Sequence, residues 1–242
     1  MILMEELTLS IEEVIRNLHF IPCIEQEILN AFSRKEKKMQ EIAETAYSGT
    51  DYAFPLLKRS PFTRLLVVCL LLKNQFIEYQ KVGASEEIIW DTFQDVSVRS
   101  NLTYLATGKI GISKEEVIWF SHIFSTDIFK IGVLQYEITK LQYPKKRKDD
   151  PYMELSREGK ALLAEGCDVL SCHIRHGVDL KDSSVEASLR KAETFFKEHY
   201  AHTKFRAFVC SSWLLYPPMT AVLGERSKIR QFASRFTIVA AC

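Results

Sequence analysis

The stretch VLSCHIRHGVDLKDSSVEASLRKAETFF, from Val169 to Phe196, sets a cysteine and two histidines beside the end of an apolar run. It then turns through Gly177 toward a helix. Three chemistries fit such a combination. Cys167, Cys172, His173 and His176 are metal-ligand types, but they lack the paired spacing of a zinc site, and neighbours in a strand such as Cys172 and His173 point to opposite faces. The sequence therefore implies no metal. Cys172 or Cys210 with His173 as base would make a thiol nucleophile. A reactive thiolate, however, wants a helix N-terminus or a cation beside it, and both cysteines lie inside apolar strand runs. The third chemistry is anion binding. A strand ending near Ile174, a loop containing Gly177 and a helix opened by a Ser183–Glu186 capping box would aim the N–H groups of Ser184, Val185 and Glu186 at a phosphate. A glycine in that loop lets backbone approach a ligand where a side chain would block it. An ordinary strand-to-helix connection has the same local sequence, so this reading stands beside a purely structural one.

The elements that must position these residues fall into two blocks. The first reads helical: Ser10 with Glu13 forms a capping box, and Ile11, Val14, Ile15 and Leu18 follow at helical spacing until Pro22. A second helix fits Ile24 to about Tyr47. Pro61 suits the first position of a helix carrying the all-apolar LLVVCLLL run from Leu65 to Leu72. Ser85 caps a fourth helix ended by Gly108, and Ser113 with Glu116 caps a fifth. Trp90, Phe93, Trp119 and Phe120 read as core aromatics, and this block shows no catalytic cluster.

Near Phe129 the period changes. FKIGVLQYEITKLQY alternates as a strand does, PKKRKDDP reads as a solvated hairpin tip, ALLAEG is ambiguous, and CDVLSCHI is a strand. A helix from Ser183 buries Val185, Leu189, Ala192, Phe195 and Phe196. FRAFVCSSWLL reads as a strand ended by Pro217 and Pro218, Ser227 caps KIRQFASRF, and TIVAA reads as a last strand. Strands alternating with helices imply parallel pairing in part of the sheet. The fold class is thus α+β with α/β character: a helical domain over residues 1–125 and a mixed sheet flanked by helices over 126–242.

Charge narrows the function. Lys and Arg total 32 against 31 Asp and Glu, a net +1, which exerts no general pull on nucleic acid or an anionic membrane. The longest apolar run falls far short of the about 20 residues that cross a bilayer. The six cysteines are irregularly spaced and no leader pattern opens the chain, so reduced thiols and a cytoplasmic location are expected.

The motifs from residue 169 to 236 resemble those of bacterial GNAT-like N-acyltransferases, which pair a helical N-terminal domain with a GNAT-like C-terminal domain. The matching residues are His173, Ile174 and Gly177, then Ser188, Leu189, Ala192, Phe195 and Phe196. Cys210, Ser212, Trp213, Leu214, Leu215 and Pro217 follow, with Ser227 and Ile229 after them. The resemblance implies transfer of an acyl group from acyl-CoA, as co-substrate, to an amine by direct attack. The thioester would lie between two splayed parallel strands, here Val169–Ile174 and Phe205–Leu215. It further implies His173 as base, Tyr216 as proton donor to the leaving thiolate, and Ile174, Gly177, Ser183, Ser184, Val185, Ser212 and Trp213 as residues holding the CoA. Arg175 stands where the family has proline, and Lys228 where it has asparagine. The superfamily's glycine-rich pyrophosphate loop is not recognisable, and the chain ends at Cys242 where further strands are expected. Those departures favour an alternative, a shortened, non-catalytic ligand-binding or interaction protein. A thiol-dependent enzyme using Cys172 or Cys210 is the second alternative.

Overall fold

The structure is a computed structural model that describes residues 9–143 and 155–239. The chain divides into two compact units, Met1–Thr126 and Asp127–Cys242.

The described part of the first unit is helical and contains no strand: α1 (Ile11–Asn17), α2 (Pro22–Ala43), α3 (Pro61–Lys81), α4 (Glu86–Thr107) and α5 (Lys114–Phe124). The start signals act as read. Ser10 and Ser113 form complete capping boxes with Glu13 and Glu116, while Ser60 and Ser85 accept from the N–H groups of Thr63 and Ile88. Gly108, at φ 70°, ends α4 in the left-handed conformation that suits glycine. Pro22 opens α2 as its first residue and does not merely interrupt the chain, and α2 stops at Ala43 after bending at Lys35, so it is shorter than the expected helix to Tyr47. Helix α3 packs against α1, α2, α4 and α5. That contact explains its all-apolar run: Leu65, Leu66, Val67, Val68, Cys69, Leu70 and Leu72 are all buried. Burying each of these leucines contributes about 1.5–3 kcal/mol relative to exposing it. Phe93 and Phe120 are core residues, whereas Trp90 and Trp119 are half-buried. The Trp119 indole N–H donates to the buried Asp95 carboxylate at 2.7 Å, tying α5 to α4.

In the second unit the alternating segment after Thr126 is two strands. β1 (Ile128–Ile131) and β2 (Leu134–Lys140) form a hairpin, with Ile131 opposite Leu134 and a two-residue turn between them. Gly132 takes φ 63° at the first turn position, where a tight hairpin favours glycine. The short helix α6 (Arg157–Leu162) settles the ambiguous ALLAEG segment as helix running into loop. β3 (Asp168–His173) runs antiparallel to β2, α7 (Asp182–His199) crosses over, and β4 (Phe208–Val209) pairs parallel to β3. The sheet order is therefore β1-β2-β3-β4. Helices α8 (Pro217–Ala221) and α9 (Lys228–Ala233) follow, α9 capped by Ser227 as expected.

Two strand expectations are corrected. Phe205–Leu215 contains only a two-residue strand, because its pairing with β3 stops at Val209, opposite Ser171, although β3 itself continues to His173. Ser212 then caps a 3₁₀ turn over Trp213–Leu215. Residues 237–239 form no strand, and the rest of TIVAA, like the PKKRKDDP segment, lies outside the described residues.

One buried hydroxyl joins α7 to the hairpin. Ser188 Oγ donates to the Ile131 carbonyl and accepts from the Leu134 N–H at 3.3 Å and the Tyr136 hydroxyl at 2.8 Å. A serine hydroxyl offers one donor and two acceptor sites, so Ser188 is saturated. Around it Phe129, Tyr136, Phe195, Phe196 and Phe208 pack ring against ring, with Phe129 and Phe195 centroids 5.2 Å apart. Ser188→Ala should therefore lower stability by about 2 kcal/mol, because it leaves buried partners unsatisfied. Tyr136→Phe, which removes one partner only, should cost about 1 kcal/mol. Urea unfolding followed by circular dichroism measures both.

Candidate functional site

Strand alternation sorts the second unit's side chains onto two faces. Tyr136, Leu170 and Cys172 face α7, with Cys172 1% exposed. Gln135, Glu137, Ser171 and His173 occupy the opposite face. Cys172 and His173 therefore cannot act on one centre. Among the described residues no group of three or more His, Cys, Asp or Glu is arranged to hold a metal ion.

His173 is the last residue of β3, opposite Gln135. Its Nε2 lies 2.7 Å from Glu137 Oε2, and the two side chains are 29% and 17% exposed. Glu137 is opposite Ser171, so it reaches His173 along the diagonal of the antiparallel ladder. The small Ser171 side chain leaves that path open. Sequence reasoning missed Glu137. Its signal was the polar series Gln135, Glu137, Thr139 alternating with Leu134, Tyr136 and Ile138, which marks a polar strand face without saying what it meets.

Beyond Ser171 the two parallel strands part. Their paired residues are Leu170 with Phe208 and Ser171 with Val209, and the pairing stops there. Because the strands are parallel, the loops after β3 and β4 leave from the same edge of the sheet. The first holds Ile174 and Gly177. Gly177 is the third residue of a turn closed by Val178 N–H to the Arg175 carbonyl at 3.4 Å, and it takes φ 77°. A Cβ there would meet nothing within 4 Å, so its constraint is backbone conformation and not crowding. The second loop holds Ser212, whose hydroxyl accepts from Leu214 N–H at 3.2 Å, then Trp213 and Tyr216. Trp213 is 73% and Tyr216 55% exposed, which rules out a core role for either. Helix α9 packs on both α7 and the turn containing Trp213.

The start of α7 differs from the expected capping box. The helix begins at Asp182 after Lys181, with no side-chain cap, so Ser183 lies in its first turn and is not its cap. The N–H groups of Ser184 and Val185 both donate to the Lys181 carbonyl, at 2.9 and 3.0 Å. Glu186, one turn in, has its own N–H in the regular helical ladder, leaving those of Asp182 and Ser183 without an intrahelical acceptor. The Glu186 carboxylate turns instead to Arg190 and Arg235. Arg235 also holds Asp182 Oδ1 at 2.7 Å, and Lys228 holds Asp179 Oδ1 at 2.7 Å. These bonds hold the Asp179 and Glu186 carboxyls below the usual carboxylate range, through Lys228 for the first and Arg235 for the second. Three acids and their cations thus crowd the helix end that was expected to receive a phosphate.

Burial acts on the thiols in the opposite sense. It pushes the Cys210 thiol up to about 11 and the Cys172 thiol higher still. Both are protonated near neutrality, which argues against the thiol-enzyme reading. The five described cysteines, Cys23, Cys69, Cys167, Cys172 and Cys210, are free.

A family model described as the N-acyltransferase N-terminal domain matches residues 3–126, and one described as the GNAT-like C-terminal domain matches residues 128–241. Among solved structures, an acyltransferase in complex with decanoyl-CoA and teicoplanin is 18% identical, with a TM-score of 0.69, covering 96% of this chain and 70% of that one. An acyltransferase mutant in complex with octanoyl-CoA is 17% identical, with a TM-score of 0.70 and the same coverage. A third, in complex with decanoyl-CoA, is 20% identical, with a TM-score of 0.67, covering 93% and 68%. These likenesses establish the fold. No curated protein sequence matches the chain.

Two outcomes follow from the site's electrostatics. Near pH 7.5 iodoacetamide should modify the exposed Cys23 well before Cys172 or Cys210, as read by peptide mass spectrometry. Asp179 and Glu186 have folded-state values below their unfolded ones, so their contribution is present above the carboxylate range and is lost as pH falls through the folded values. Amide exchange of α9, corrected for intrinsic rates, should therefore be faster at about pH 3 than at about pH 6.

Proposed function

The chain belongs to the N-acyltransferase family that joins an N-acyltransferase N-terminal domain to a GNAT-like C-terminal domain, and we propose that it transfers an acyl group from acyl-CoA to an amine by direct attack. The observation that carries this reading is the two-residue parallel pairing of β3 with β4, which ends just before a half-buried histidine. Where parallel strands part, backbone N–H and C=O groups lose their ladder partners and become available to a ligand beyond the carboxyl ends of the strands. Such a cleft suits an extended thioester.

In this reading the cleft aligns the thioester carbonyl with the amine, and orientation supplies much of the rate. His173 takes a proton from the attacking nitrogen as the carbon–nitrogen bond forms. The tetrahedral intermediate then collapses, the carbon–sulfur bond breaks, and the thiolate takes a proton from Tyr216, which solvent then restores. Ile174 and Gly177 line one side of the entrance, and Ser212 and Trp213 the other. The pyrophosphate role proposed for Ser183, Ser184 and Val185 narrows to the N–H groups of Asp182 and Ser183. The neighbouring carboxylates limit that contact, so the acyl-CoA affinity is modest. Solved neighbours carrying octanoyl-CoA and decanoyl-CoA support a medium-length acyl chain, and the complex with teicoplanin supports an amine on a non-protein acceptor. The even charge balance supports an acceptor that is neither nucleic acid nor membrane, and a cytoplasmic setting is part of the same reading. No helix among the described residues is long and apolar enough to cross a membrane.

The crowded start of α7 favours a second reading, a relative that binds acyl-CoA without turning it over. Calorimetry with octanoyl-CoA and decanoyl-CoA, followed by release of free CoA in the presence of primary amines, separates the two. His173→Ala should leave octanoyl-CoA binding intact and slow transfer by about 100-fold or more. Unchanged turnover in that variant would remove His173 from the mechanism. Gly177→Ala should lose about 1 kcal/mol of stability from its left-handed backbone, with a matching rise in KM for acyl-CoA.

A further inference from the structure

We infer that Glu137 is the positioning residue for His173, fixing the imidazole so that Nδ1, and not Nε2, is the nitrogen that receives the amine's proton. For its activity arm this rests on the acyltransferase reading. For its geometry it rests on the pair alone.

Glu137 Oε2 and His173 Nε2 are 2.7 Å apart, the distance of a charge-assisted hydrogen bond. A carboxylate only accepts, so the proton of that bond belongs to Nε2, and Nδ1 becomes the basic nitrogen of the neutral ring. The residues that hold the pair come from two strands. The ladder places Glu137 beside Ser171, and His173 two residues further along the same face. A long glutamate side chain bridges that diagonal, where an aspartate would fall short. Both partners are largely sheltered from water, so the contact is not the weak, screened kind found on open surfaces. His173 also sits where a base is useful, two residues past the last rung between β3 and β4.

The chemistry follows from this arrangement. As the amine attacks, its proton moves to Nδ1 and the ring becomes imidazolium. The Glu137 carboxylate, already bonded to Nε2–H, stabilises that cation without itself taking the proton, and Nδ1 later returns the proton to solvent. Base, orienting carboxylate and reacting nitrogen then form the arrangement in which an imidazole is held in one tautomer by a third group.

Two measurements test this. The first needs no acceptor. In protein labelled with ¹⁵N-histidine, the ring signals missing from His173→Ala identify His173. They should show the Nε2-protonated tautomer, with an Nε2 proton slow to exchange with water, and Glu137→Ala should abolish that protection. An Nδ1-protonated ring, or protection unchanged in Glu137→Ala, would overturn the pairing. The second is turnover of octanoyl-CoA with a primary amine. Glu137→Gln keeps the shape and loses the charge. It should lower kcat by about 10- to 100-fold, leave KM for octanoyl-CoA unchanged, and add no further loss to His173→Ala, since residues acting as a unit are not additive. Full activity in Glu137→Gln, or losses that multiply in the double variant, would overturn the positioning role. A thermal melt of Glu137→Gln that matches the wild type excludes unfolding as the cause. Wild-type protein that neither binds nor consumes octanoyl-CoA would defeat the acyltransferase reading instead, and the tautomer measurement would still decide the pairing.

Discussion

The second unit depends on one buried serine. Ser188 reaches from the crossover helix to both arms of the β1–β2 hairpin, satisfying a carbonyl at the end of β1, an amide at the start of β2 and a tyrosine hydroxyl on β2. The contact leaves no room for alternatives: a Cβ on Gly132 would come within 3.0 Å of Ser188 Cβ. A glycine in the turn and a small hydroxyl on the helix are thus each other's condition. Because α7 links β3 to β4, fixing it on the hairpin also fixes the loop that leaves His173 and the start of the strand that returns alongside.

The two faces of the sheet then take on different work. One is filled by aromatic rings and by the thiols of buried Cys172 and half-buried Cys210, which contribute packing and no chemistry, since desolvation keeps both protonated. The other carries Gln135, Glu137, Ser171 and His173. A period of two residues enforces this division, and the adjacent Cys172 and His173 are its clearest instance. The metal reading of that stretch, and the thiol reading that used Cys172, both required neighbours in sequence to cooperate, which the pleat forbids; the thiol reading that used Cys210 is opposed by the raised pKa of that thiol.

The edge of the sheet carries a compromise. The parallel pairing of β3 and β4 is short, which frees backbone groups for a ligand but contributes little to holding β4. Helix α9 and the turn after it make up part of the difference through Lys228 and Arg235, which clasp Asp179, Asp182 and Glu186 around the start of α7. Those ion pairs are largely exposed, so each contributes modestly and is sensitive to salt. They also fill, with carboxylates and the cations that neutralise them, the helix end that would otherwise attract phosphate. Stability of this edge and affinity for an anionic ligand therefore draw on the same residues in opposite directions.

The sequence by itself determined whatever rests on contacts between near neighbours in the chain. The caps at Ser10, Ser85, Ser113 and Ser227, the left-handed end of α4 at Gly108 and the buried run of α3 all follow from bonds across three or four residues or from continuous apolarity. The parallel β3–β4 pairing was legible as well, because a strand, a helix and a strand in succession leave few other connections. Local signals failed where tertiary structure supplied or withheld a partner. Ser183 and Glu186 have the pattern of a capping box, yet Arg235, 49 residues beyond Glu186, takes the carboxylate and leaves the helix to start without a side-chain cap. FRAFVCSSWLL alternates like a long strand, yet it pairs with β3 only at Phe208 and Val209 and leaves it before β3 itself has ended. The His173–Glu137 bond spans 36 residues and depends on the register between two antiparallel strands. A shift of one residue in that register would send Glu137 to the opposite face. Periodicity shows which residues share a face of a strand; only the pairing of strands decides which side chains meet across it.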